Sequence, residues 1–414
     1  MNLLNQHPRT NCGSGPLILI EWNVGGHHET YLRIISSVLL QQGHQLVVLC
    51  PDPKALQSAL ADRLPPDVIS RCKAIAIGGP EWIRKRPRWC AGLAFRAYGQ
   101  IIQNHVRDAE KANGGAAAEV YFTCLYEHQA RMYYAVICGL RGREWTGLYL
   151  HPHIFHCPDR LAPGVKRKWP ISRLWSLPGL RGLLMLDEGI APMVAQAIGR
   201  PVTLLPDIAD DSCRTDDPLA LSLQKFSAGR PIVGLLGHLV PSKGVVALAR
   251  CALADSGSIV FAFAGEIHWE MFTEEEQDLL RRLKTDCPHV WIHDGRIPDE
   301  SAYNMLFSSC DVIFAAYHDF PHSSNTLTKA AIFKKPVLVS SGHLVAERVI
   351  RYRLGEVLPA GSSDGRILSI LRNLVLRAEG WAEASKPDWA GYCRDHSPER
   401  LAEVLLEFFP RNQR

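Results

Sequence analysis

The feature that most constrains this chain is a repeated alternation of short apolar runs with segments of helical periodicity. The first cycle runs from PLILIEW (16–22) through NVGG and ETYLRIISSVLLQQGH (29–44) to QLVVLCP (45–51). Apolar runs of this length are typical of strands buried on both faces, and a helical connection between two of them makes a parallel βαβ unit. We therefore expect 16–22 and 45–51 to be parallel strands joined by a helix over 29–44.

The same pattern continues in two series. In the first, VYFTCL (120–125), TGLYLH (146–151) and GLLMLD (182–187) follow the opening unit. In the second, apolar runs alternate with amphipathic segments. The runs lie at 230–237, 258–265, 290–295, 311–316 and 336–341, and the helical segments at 245–254, 274–284, 300–310 and 326–335. This alternation predicts an α/β fold with two doubly wound, Rossmann-like parallel sheets.

The two series predict the domain organisation. We expect a loose tail over 1–15, an N-terminal Rossmann-like domain over 16–200 and a C-terminal one over 201–385. Residues 386–414 include the amphipathic segment SPERLAEVLLEFF (397–409), a helix that we expect to pack back on the N-terminal domain. In open parallel sheets, ligands bind beyond the carboxyl ends of the strands, so the loops that follow strands are the candidate sites.

Composition excludes several classes of protein. Of 414 residues, 47% are hydrophobic and 21% charged, which is typical of globular domains. Lys and Arg total 46 against 42 for Asp and Glu, and a net charge of +4 is too small to indicate a nucleic-acid binder. No apolar run reaches the roughly eighteen residues of a membrane-spanning helix, and the opening residues do not resemble a secretory signal. The 12 cysteines are scattered without a C-x-x-C pair, which favours a reduced, cytoplasmic protein.

Two strand-to-helix loops of the second domain are candidates for binding phosphate. GHLVPSKG (237–244) brings His238 and Lys243 to a helix start, where backbone amides, the helix dipole and a cation favour an anion. In YHDFPHSSNTLTKAA (317–331), small polar residues precede a helix whose first amides suit the same task. The residues concerned are Ser323, Ser324, Asn325, Thr326 and Leu327. Each loop also has a simpler interpretation, as a solvated turn and as a capped helix start respectively.

The loops of the first domain are rich in glycine and histidine. In EWNVGGHHETY (21–31), Gly25 and Gly26 allow close approach of a ligand, and His27 and His28 are placed to contact hydroxyl groups. The chain has neither G-x-G-x-x-G nor G-x-x-x-x-G-K-[ST], which argues against a dinucleotide-binding domain and a P-loop nucleotidase.

A histidine-rich loop, HPHIFHC (151–157), follows another strand of the first domain. Zinc coordination and polar contacts to a substrate are both compatible with it, but its spacing matches no standard zinc pattern. We favour polar contacts and predict no metal. The potential ligands are His151, His153, His156 and Cys157. Glu127 and His128 end the preceding strand in a similar way, either as substrate contacts or as a plain surface pair.

Two stretches combine basic residues with tryptophan, EWIRKRPRW (81–89) and VKRKWPISRLW (165–175). One interpretation is peripheral contact with anionic lipid on the inner face of a membrane. The other, which we favour slightly, is a pair of solvated loops whose tryptophans pack inward.

From about residue 16 to its end, the chain resembles the group-1, family 4-like class of retaining GT-B glycosyltransferases. The matching segments are the GG loop followed by GHQLVVL, then LGHLVPSKG, FAFAG, HDGRIPDESAYNMLFSSCDVIFAAY and KKPVLVS. The resemblance implies two Rossmann-like domains facing across a cleft. The N-terminal domain would bind the acceptor and the C-terminal domain a nucleoside diphosphate sugar, without a cofactor.

The resemblance also implies roles for particular residues. In that class a basic pair binds the donor diphosphate, and its positions fall on His238 and Lys243. A histidine near the transferred sugar is matched best by His151 and next by His153. The remaining sugar or acceptor contacts would be Gly25, Gly26, His27, His28 and Glu127, and the nucleoside contacts Gly265, Glu266, Arg296, Ile297 and Lys329.

The chain departs from that class at a pair of glutamates, whose positions fall on Pro321 and Lys329. The second glutamate of the class binds the ribose, and a lysine cannot accept those hydrogen bonds. The sequence therefore carries a degenerate form of this motif.

The implied reaction moves a sugar from a nucleoside diphosphate to an acceptor hydroxyl, with retention and without a metal. Lys243, protonated His238 and the amides of 325–327 would stabilise the charge of the leaving diphosphate. Two other functions remain open. One is a GT-B nucleotide-sugar epimerase or hydrolase, and the other is a catalytically degenerate GT-B partner subunit, which the missing glutamates motivate.

Overall fold

The structure, a computed structural model, describes residues 15–25, 27–78, 91–156, 171–214, 216–376 and 378–410. The chain divides into two compact units. The first comprises Met1–Ile208 and Ser397–Arg414, and the second Ala209–His396. Each unit is a parallel sheet flanked by helices, which confirms the predicted α/β fold with two Rossmann-like sheets.

The first unit contains a seven-stranded sheet in the order β3-β2-β1-β4-β5-β6-β7, in which every described pair is parallel. Its strands are β1 (Leu17–Ile20), β2 (Leu46–Cys50), β3 (Cys72–Ala76), β4 (Glu119–Leu125), β5 (Trp145–Tyr149), β6 (Leu183–Met185) and β7 (Val202–Leu204). Its helices are α1 (His27–Gln41), α2 (Pro53–Ala61), α3 (Pro66–Ile69), α4 (Ala91–Ala112), α5 (Ala130–Gly139), α6 (His153–His156), α7 (Ala191–Ile198) and the C-terminal α17 (Pro398–Phe408).

The second unit contains a six-stranded parallel sheet in the order β10-β9-β8-β11-β12-β13. Its strands are β8 (Ile232–Leu236), β9 (Val260–Gly265), β10 (Val290–Asp294), β11 (Val312–Ala315), β12 (Val337–Ser340) and β13 (Gly355–Leu358). Its helices are α8 (Pro218–Ser227), α9 (Val245–Ala254), α10 (Glu274–Asp286), α11 (Glu300–Ser309), α12 (Asn325–Ile332), α13 (Leu344–Tyr352), α14 (Asp364–Leu376), α15 (Ala378–Ser385) and α16 (Trp389–Asp395).

Strand order reverses once in each sheet, between β1 and β4 in the first and between β8 and β11 in the second. At such a switch point the loops leaving two neighbouring strands diverge to opposite faces and leave a crevice for a ligand. The loops 21–26 and 237–244 follow β1 and β8, and the loop 317–324 follows β11. The candidate loops therefore lie at the positions where a doubly wound sheet binds ligands.

The C-terminal helix belongs to the first unit. Its Leu401, Val404, Leu405 and Phe408 are buried in the same apolar cluster as residues of α1 and β2. The buried Arg181, 6% exposed, links the C-terminal end of this helix to β4. Its guanidinium donates hydrogen bonds to the Phe408 carbonyl and, at 2.5 Å, to Glu119 Oε1. The guanidinium carbon of Arg181, Cζ, also lies 4.8 Å from the centroid of the Phe408 ring.

Two boundaries differ from the expected ones. The first unit runs to Ile208, 8 residues beyond the expected 200, and its C-terminal segment begins at Ser397, 11 residues beyond the expected 386. The first unit extends to Ile208 because Leu205 and Ile208 are buried in its core. The helix α16 remains with the second unit because Tyr392 is fully buried in that unit's core. Within the described ranges, no helix has both the length and the apolar character needed to cross a bilayer.

Candidate functional site

In the second unit, the loop that follows β8 is packed directly against the loop that follows β11. Gly244 adopts φ +76° at the start of α9, and a Cβ there would lie 2.7 Å from the Ala316 carbonyl oxygen. The His318 amide donates to the Ser242 carbonyl at 2.7 Å. The two predicted phosphate-binding loops are thereby held side by side.

Lys243 supplies a cation at this place. It ends a short 3₁₀ turn, Pro241–Lys243, immediately before α9. Its side chain is half-buried and its Nζ lies 5.8 Å from the Tyr317 ring centroid. Within the part of the chain that the structure describes, no carboxylate forms an ion pair with Lys243. An anionic ligand would therefore meet a positive charge that is not already neutralised.

His238 differs from its predicted role as a second cation. Burial of part of the ring, and then the charge of Lys243, lower the pKa of His238, so the neutral imidazole is favoured at neutral pH. Its Nδ1 lies 3.0 Å from His268 Nε2, a distance at which one imidazole donates to the other. His268 Nδ1 is in turn 3.4 Å from Glu270 Oε1. His238 can therefore hydrogen-bond a ligand, but Lys243 carries the positive charge.

The loop after β11 ends at the N-terminus of α12. Ser324 occupies the N-cap position, and its side chain makes no capping hydrogen bond. The Leu327 amide, expected to bind phosphate, instead donates to the Ser324 carbonyl at 3.0 Å. The amides of Asn325 and Thr326 remain the candidate donors of this helix start.

Side chains of this loop are fixed by two contacts that the sequence did not indicate. Ser323 Oγ accepts a hydrogen bond from Arg348 Nη1 at 2.6 Å, and Arg348 is a buried arginine of α13. The Thr326 hydroxyl lies 3.0 Å from the Tyr317 hydroxyl. Arg348 therefore places a second cation behind the loop that holds the candidate phosphate-binding amides.

The predicted nucleoside-binding residues lie at the neighbouring ends of β9 and β10. Gly265, at the end of β9, has φ +140°, and a Cβ there would stand 1.8 Å from the carbonyl oxygen of Gly237, which follows β8. Only glycine therefore fits where the ends of β8 and β9 meet. Glu266 and Arg296 are exposed, and Ile297 is partly buried against the core. The structure therefore brings Gly265 beside the β8 loop and presents Glu266 and Arg296 to solvent.

Lys329 does not lie free for a nucleoside. It is only 4% exposed, and its Nζ donates to Glu300 Oε2 at 2.8 Å, to Asn304 Oδ1 at 2.5 Å and to the Asp210 carbonyl at 3.1 Å. All three donors of an ammonium are thus engaged inside the unit. The prediction of a direct contact between Lys329 and the nucleoside is therefore corrected, because its ammonium already has three partners.

In the first unit, the loop after β1 surrounds a buried carboxylate, Glu21, that sequence reasoning missed. Glu21 is 2% exposed, and its Oε2 lies 3.1 Å from His28 Nδ1 and 2.8 Å from Thr123 Oγ1. Burial alone would raise the pKa of Glu21, but hydrogen bonds with His28, Asn23 and Thr123 and the charge of His28 hold it below its usual value. Glu21 is therefore ionised and orients the His28 ring.

Four histidines gather around Tyr126, which directly follows β4. The ring centroids of His28, His128 and His151 lie 5.4, 5.3 and 5.3 Å from that of Tyr126. His153 joins the group at 6.1 Å from His151. The structure thus brings together three predicted sugar- or acceptor-binding histidines, His28, His151 and His153.

Other predicted residues of the first unit have structural contacts. Glu127 Oε1 accepts from the Tyr149 hydroxyl at 2.6 Å and from the Ile154 amide at 3.0 Å, so it ties β5 to α6. Gly25 adopts φ +81°, and its amide donates to Glu29 Oε1. His27 begins α1, while its side chain and the whole of Gly26 lie outside the described residues.

The histidine-rich loop does not supply a convergent metal site in the described part of the chain. Its Cys157 lies outside that part, and His156 Nε2 is 2.9 Å from Asp187 Oδ2. Two other sets have their potential ligand atoms within 4.8 Å of one another. They are Glu21, His28 and Cys124, and His238, Glu266 and His268.

Of the basic, tryptophan-containing stretches, 81–89 and 165–170 lie outside the described residues. In the remainder of the second stretch, Ile171 and Leu174 are buried and Trp175 packs against the core. This part therefore packs inward, as in the simpler interpretation.

Two Rossmann-like units in tandem, with a crossing C-terminal helix, define the GT-B fold. Solved structures confirm it over nearly the whole chain. HepE of Anabaena, in complex with UDP and glucose, is similar over 95% of this chain and 98% of its own, with a TM-score of 0.68 and 13% sequence identity. Sucrose-phosphate synthase from Thermosynechococcus elongatus shows the same coverage, a TM-score of 0.67 and 14% identity.

A third similar structure is WaaG, a glycosyltransferase involved in lipopolysaccharide biosynthesis, over 96% of this chain and 100% of its own, with a TM-score of 0.61 and 14% identity. No protein-family model and no curated protein sequence matches the chain. At these identities the similarity shows the fold.

Proposed function

We propose that this protein is a glycosyltransferase that moves a sugar from a nucleoside diphosphate sugar to an acceptor hydroxyl. The observation that carries the proposal is the un-neutralised Lys243 at the switch point of the second sheet, 5.8 Å from the ring of Tyr317, whose hydroxyl contacts Thr326 in the first turn of α12. The fold supports it, because similar structures hold UDP with glucose and UDP-glucose. The retaining group-1 class, and a hexose as the transferred group, are parts of this proposal.

The chemistry follows from the charge that develops on the leaving group. Cleavage of the sugar–phosphate bond leaves a diphosphate, and Lys243 with the amides of Asn325 and Thr326 would stabilise its negative charge. His238 would donate one further hydrogen bond. In this proposal Lys243 and the helix amides provide the stabilisation, and the reaction proceeds without a metal ion or a cofactor.

The acceptor side is proposed to lie in the first unit. The sugar passes through an oxocarbenium-like state as its bond to the diphosphate breaks, and the acceptor oxygen bonds to the same carbon with retention while its proton passes to the leaving diphosphate. The histidines around Tyr126 and the Glu21–His28 pair offer hydrogen bonds to hydroxyl groups. A cytoplasmic location, with peripheral contact of 81–89 and 165–170 at the inner face of a membrane, belongs to the same proposal.

The direct test is binding of UDP, GDP and ADP by calorimetry, followed by donor turnover with the corresponding sugar nucleotides. Lys243→Met should weaken binding of the diphosphate by about tenfold to a hundredfold, the usual loss for a charge-assisted hydrogen bond. Lys225→Met, which removes an exposed lysine of α8, is the matched control and should leave binding unchanged.

The outcomes separate this function from its alternatives. Release of free sugar or an epimer without an added acceptor would point to a hydrolase or epimerase. Absence of binding to all three nucleotides would favour the non-catalytic subunit. Equal binding by the wild type and Lys243→Met would contradict the proposed site.

A further inference from the structure

Lys329 and Glu300 form an ion pair whose two members differ sharply in burial. The lysine side chain is 6% exposed, whereas the glutamate side chain is 38% exposed. An ammonium is rarely buried unless its donors are satisfied, and here they are satisfied by Glu300, Asn304 and the Asp210 carbonyl. The pair therefore points from the interior outward and ends in a carboxylate that reaches solvent.

The inner end of this pair is rigid. Asn304 is 0% exposed, accepts from Lys329 through Oδ1 and donates through Nδ2 to the Ser212 carbonyl at 2.9 Å and the Asp210 carbonyl at 3.1 Å. Lys329 is thus held by α11 and by the segment around Asp210 together. A carboxylate bonded to such an ammonium loses much of the rotamer freedom of an ordinary surface glutamate.

Glu300, the solvent-exposed member of the pair, can accept further hydrogen bonds. Only Oε2 of Glu300 is bonded to Lys329, and in the ranges that the structure describes Oε1 has no hydrogen-bond partner. Glu300 is the first residue of α11. Arg296, four residues earlier, lies in the loop between β10 and α11. Each carboxylate oxygen has two acceptor sites, so Oε1 and the remaining site of Oε2 can accept from two neighbouring hydroxyl groups.

Tyr303 lies near Lys329, the partner of Glu300, and its hydroxyl and Lys243 Nζ both lie near Gly237. Lys329 Nζ is 5.3 Å from the Tyr303 ring centroid. A Cβ on Gly237 would be 3.6 Å from the Tyr303 hydroxyl and 3.3 Å from Lys243 Nζ. The same part of the second unit therefore presents a cation suited to phosphate and a carboxylate suited to hydroxyl groups.

We propose that Glu300, positioned by Lys329, binds a vicinal diol of the ligand whose phosphates lie at Lys243. This inference rests on the proposed function and assigns a specificity-determining residue to it. Two sources offer such a diol, the ribose of the nucleoside and the sugar to be transferred. Lys329 acts through Glu300 and is a positioning residue.

The test compares binding constants of matched ligands by calorimetry with the full chain. The ribose arm uses UDP, GDP and ADP, each against its 2′-deoxy analogue. The sugar arm uses UDP-glucose against UDP-2-deoxyglucose. We expect the wild type to bind the deoxy ligand of one arm about tenfold to a hundredfold more weakly, because a hydrogen bond to the Glu300 carboxylate is lost.

Two variants tie this preference to the ion pair. Glu300→Gln keeps an acceptor for Lys329 but lacks the charge, and Lys329→Met removes the ammonium at similar length; each should reduce the preference to less than about threefold. Glu274→Gln, an exposed glutamate at the start of α10, is the matched control and should keep it. The preference is a ratio within one variant, so a general loss of stability does not change it.

The outcomes are distinct. Loss of the preference in Glu300→Gln supports the proposal, and the arm in which it occurs identifies the diol. A preference that survives in Glu300→Gln, or a wild type with no preference in either arm, overturns the inference while leaving the proposed function intact. Failure of the wild type to bind any nucleotide overturns both.

Discussion

Replacing Gly265 by alanine tests whether the close contact between the ends of β8 and β9 shapes the candidate site. The added Cβ would stand 1.8 Å from the Gly237 carbonyl oxygen, so one strand end must move by more than 1 Å. The φ of +140° is also unfavourable for any residue with a side chain. The backbone strain costs about 1–3 kcal/mol, and the overlap about 1–3 kcal/mol more. We expect a total loss of about 2–6 kcal/mol in the second unit.

The assay is amide hydrogen exchange in increasing urea, read at β8 and β9 so that only the second unit is measured. Gly361→Ala is the matched control, because Gly361 also has a positive φ, +72°, but nothing lies within 4 Å of its added Cβ. The control should lose only about 1–2 kcal/mol. Equal losses in the two variants would refute the steric argument. Gly265→Ala should also weaken nucleotide binding, since the displaced carbonyl belongs to the loop that carries Lys243.

Three further predictions concern other buried contacts. Lys329→Glu should lower the free energy of unfolding in urea by about 3–5 kcal/mol, because the new carboxylate would face Glu300, the Asn304 amide oxygen and the Asp210 carbonyl. A stable variant with tighter UDP-glucose binding would contradict this role for the lysine. The lowered pKa of Glu21 means that its stabilisation is present above about pH 4.5 and is lost as pH falls through the lower folded value. Glu21→Gln should therefore show a flatter fall in stability below pH 4.5 than the wild type, and parallel curves would count against an ionised Glu21. Phe408→Ala should destabilise the first unit by about 3–5 kcal/mol, whereas Leu406→Ala, 43% exposed in the same helix, should cost far less; similar thermal shifts would contradict the packing of α17.

The central strands were predictable because their signal is local. Strands buried on both faces read as continuous apolar runs, and 16–22, 45–51 and 120–125 contain β1, β2 and most of β4. The strands that sequence reasoning missed, β3, β7 and β13, all lie at sheet edges. β3 has an exposed Lys73 and only partly buried neighbours, and β13 contains Gly355 and an exposed Glu356, so neither has the long, fully buried apolar run of a central strand.

The loops of the candidate site were predictable for a similar reason, since strand ends and helix starts can be found in the sequence. Their side-chain contacts were not. The ion pair between Lys329 and Glu300 joins residues 29 apart, and Arg348 reaches Ser323 from another helix. Glu21 lies at the end of an apolar run, and nothing in the sequence indicates that its carboxylate contacts the ring of His28, seven residues later. Such contacts depend on the tertiary fold and have no periodicity to detect.

The measurement that most directly tests the central claim is a crystal structure of the protein with a bound nucleoside diphosphate. UDP, GDP and ADP are the compounds to use, with the one that binds most tightly taken forward. The account predicts phosphate oxygens within about 3 Å of Lys243 Nζ and of the Asn325 or Thr326 amide. A nucleotide bound in the second unit with its phosphates away from these groups, or bound only to the first unit, would contradict it.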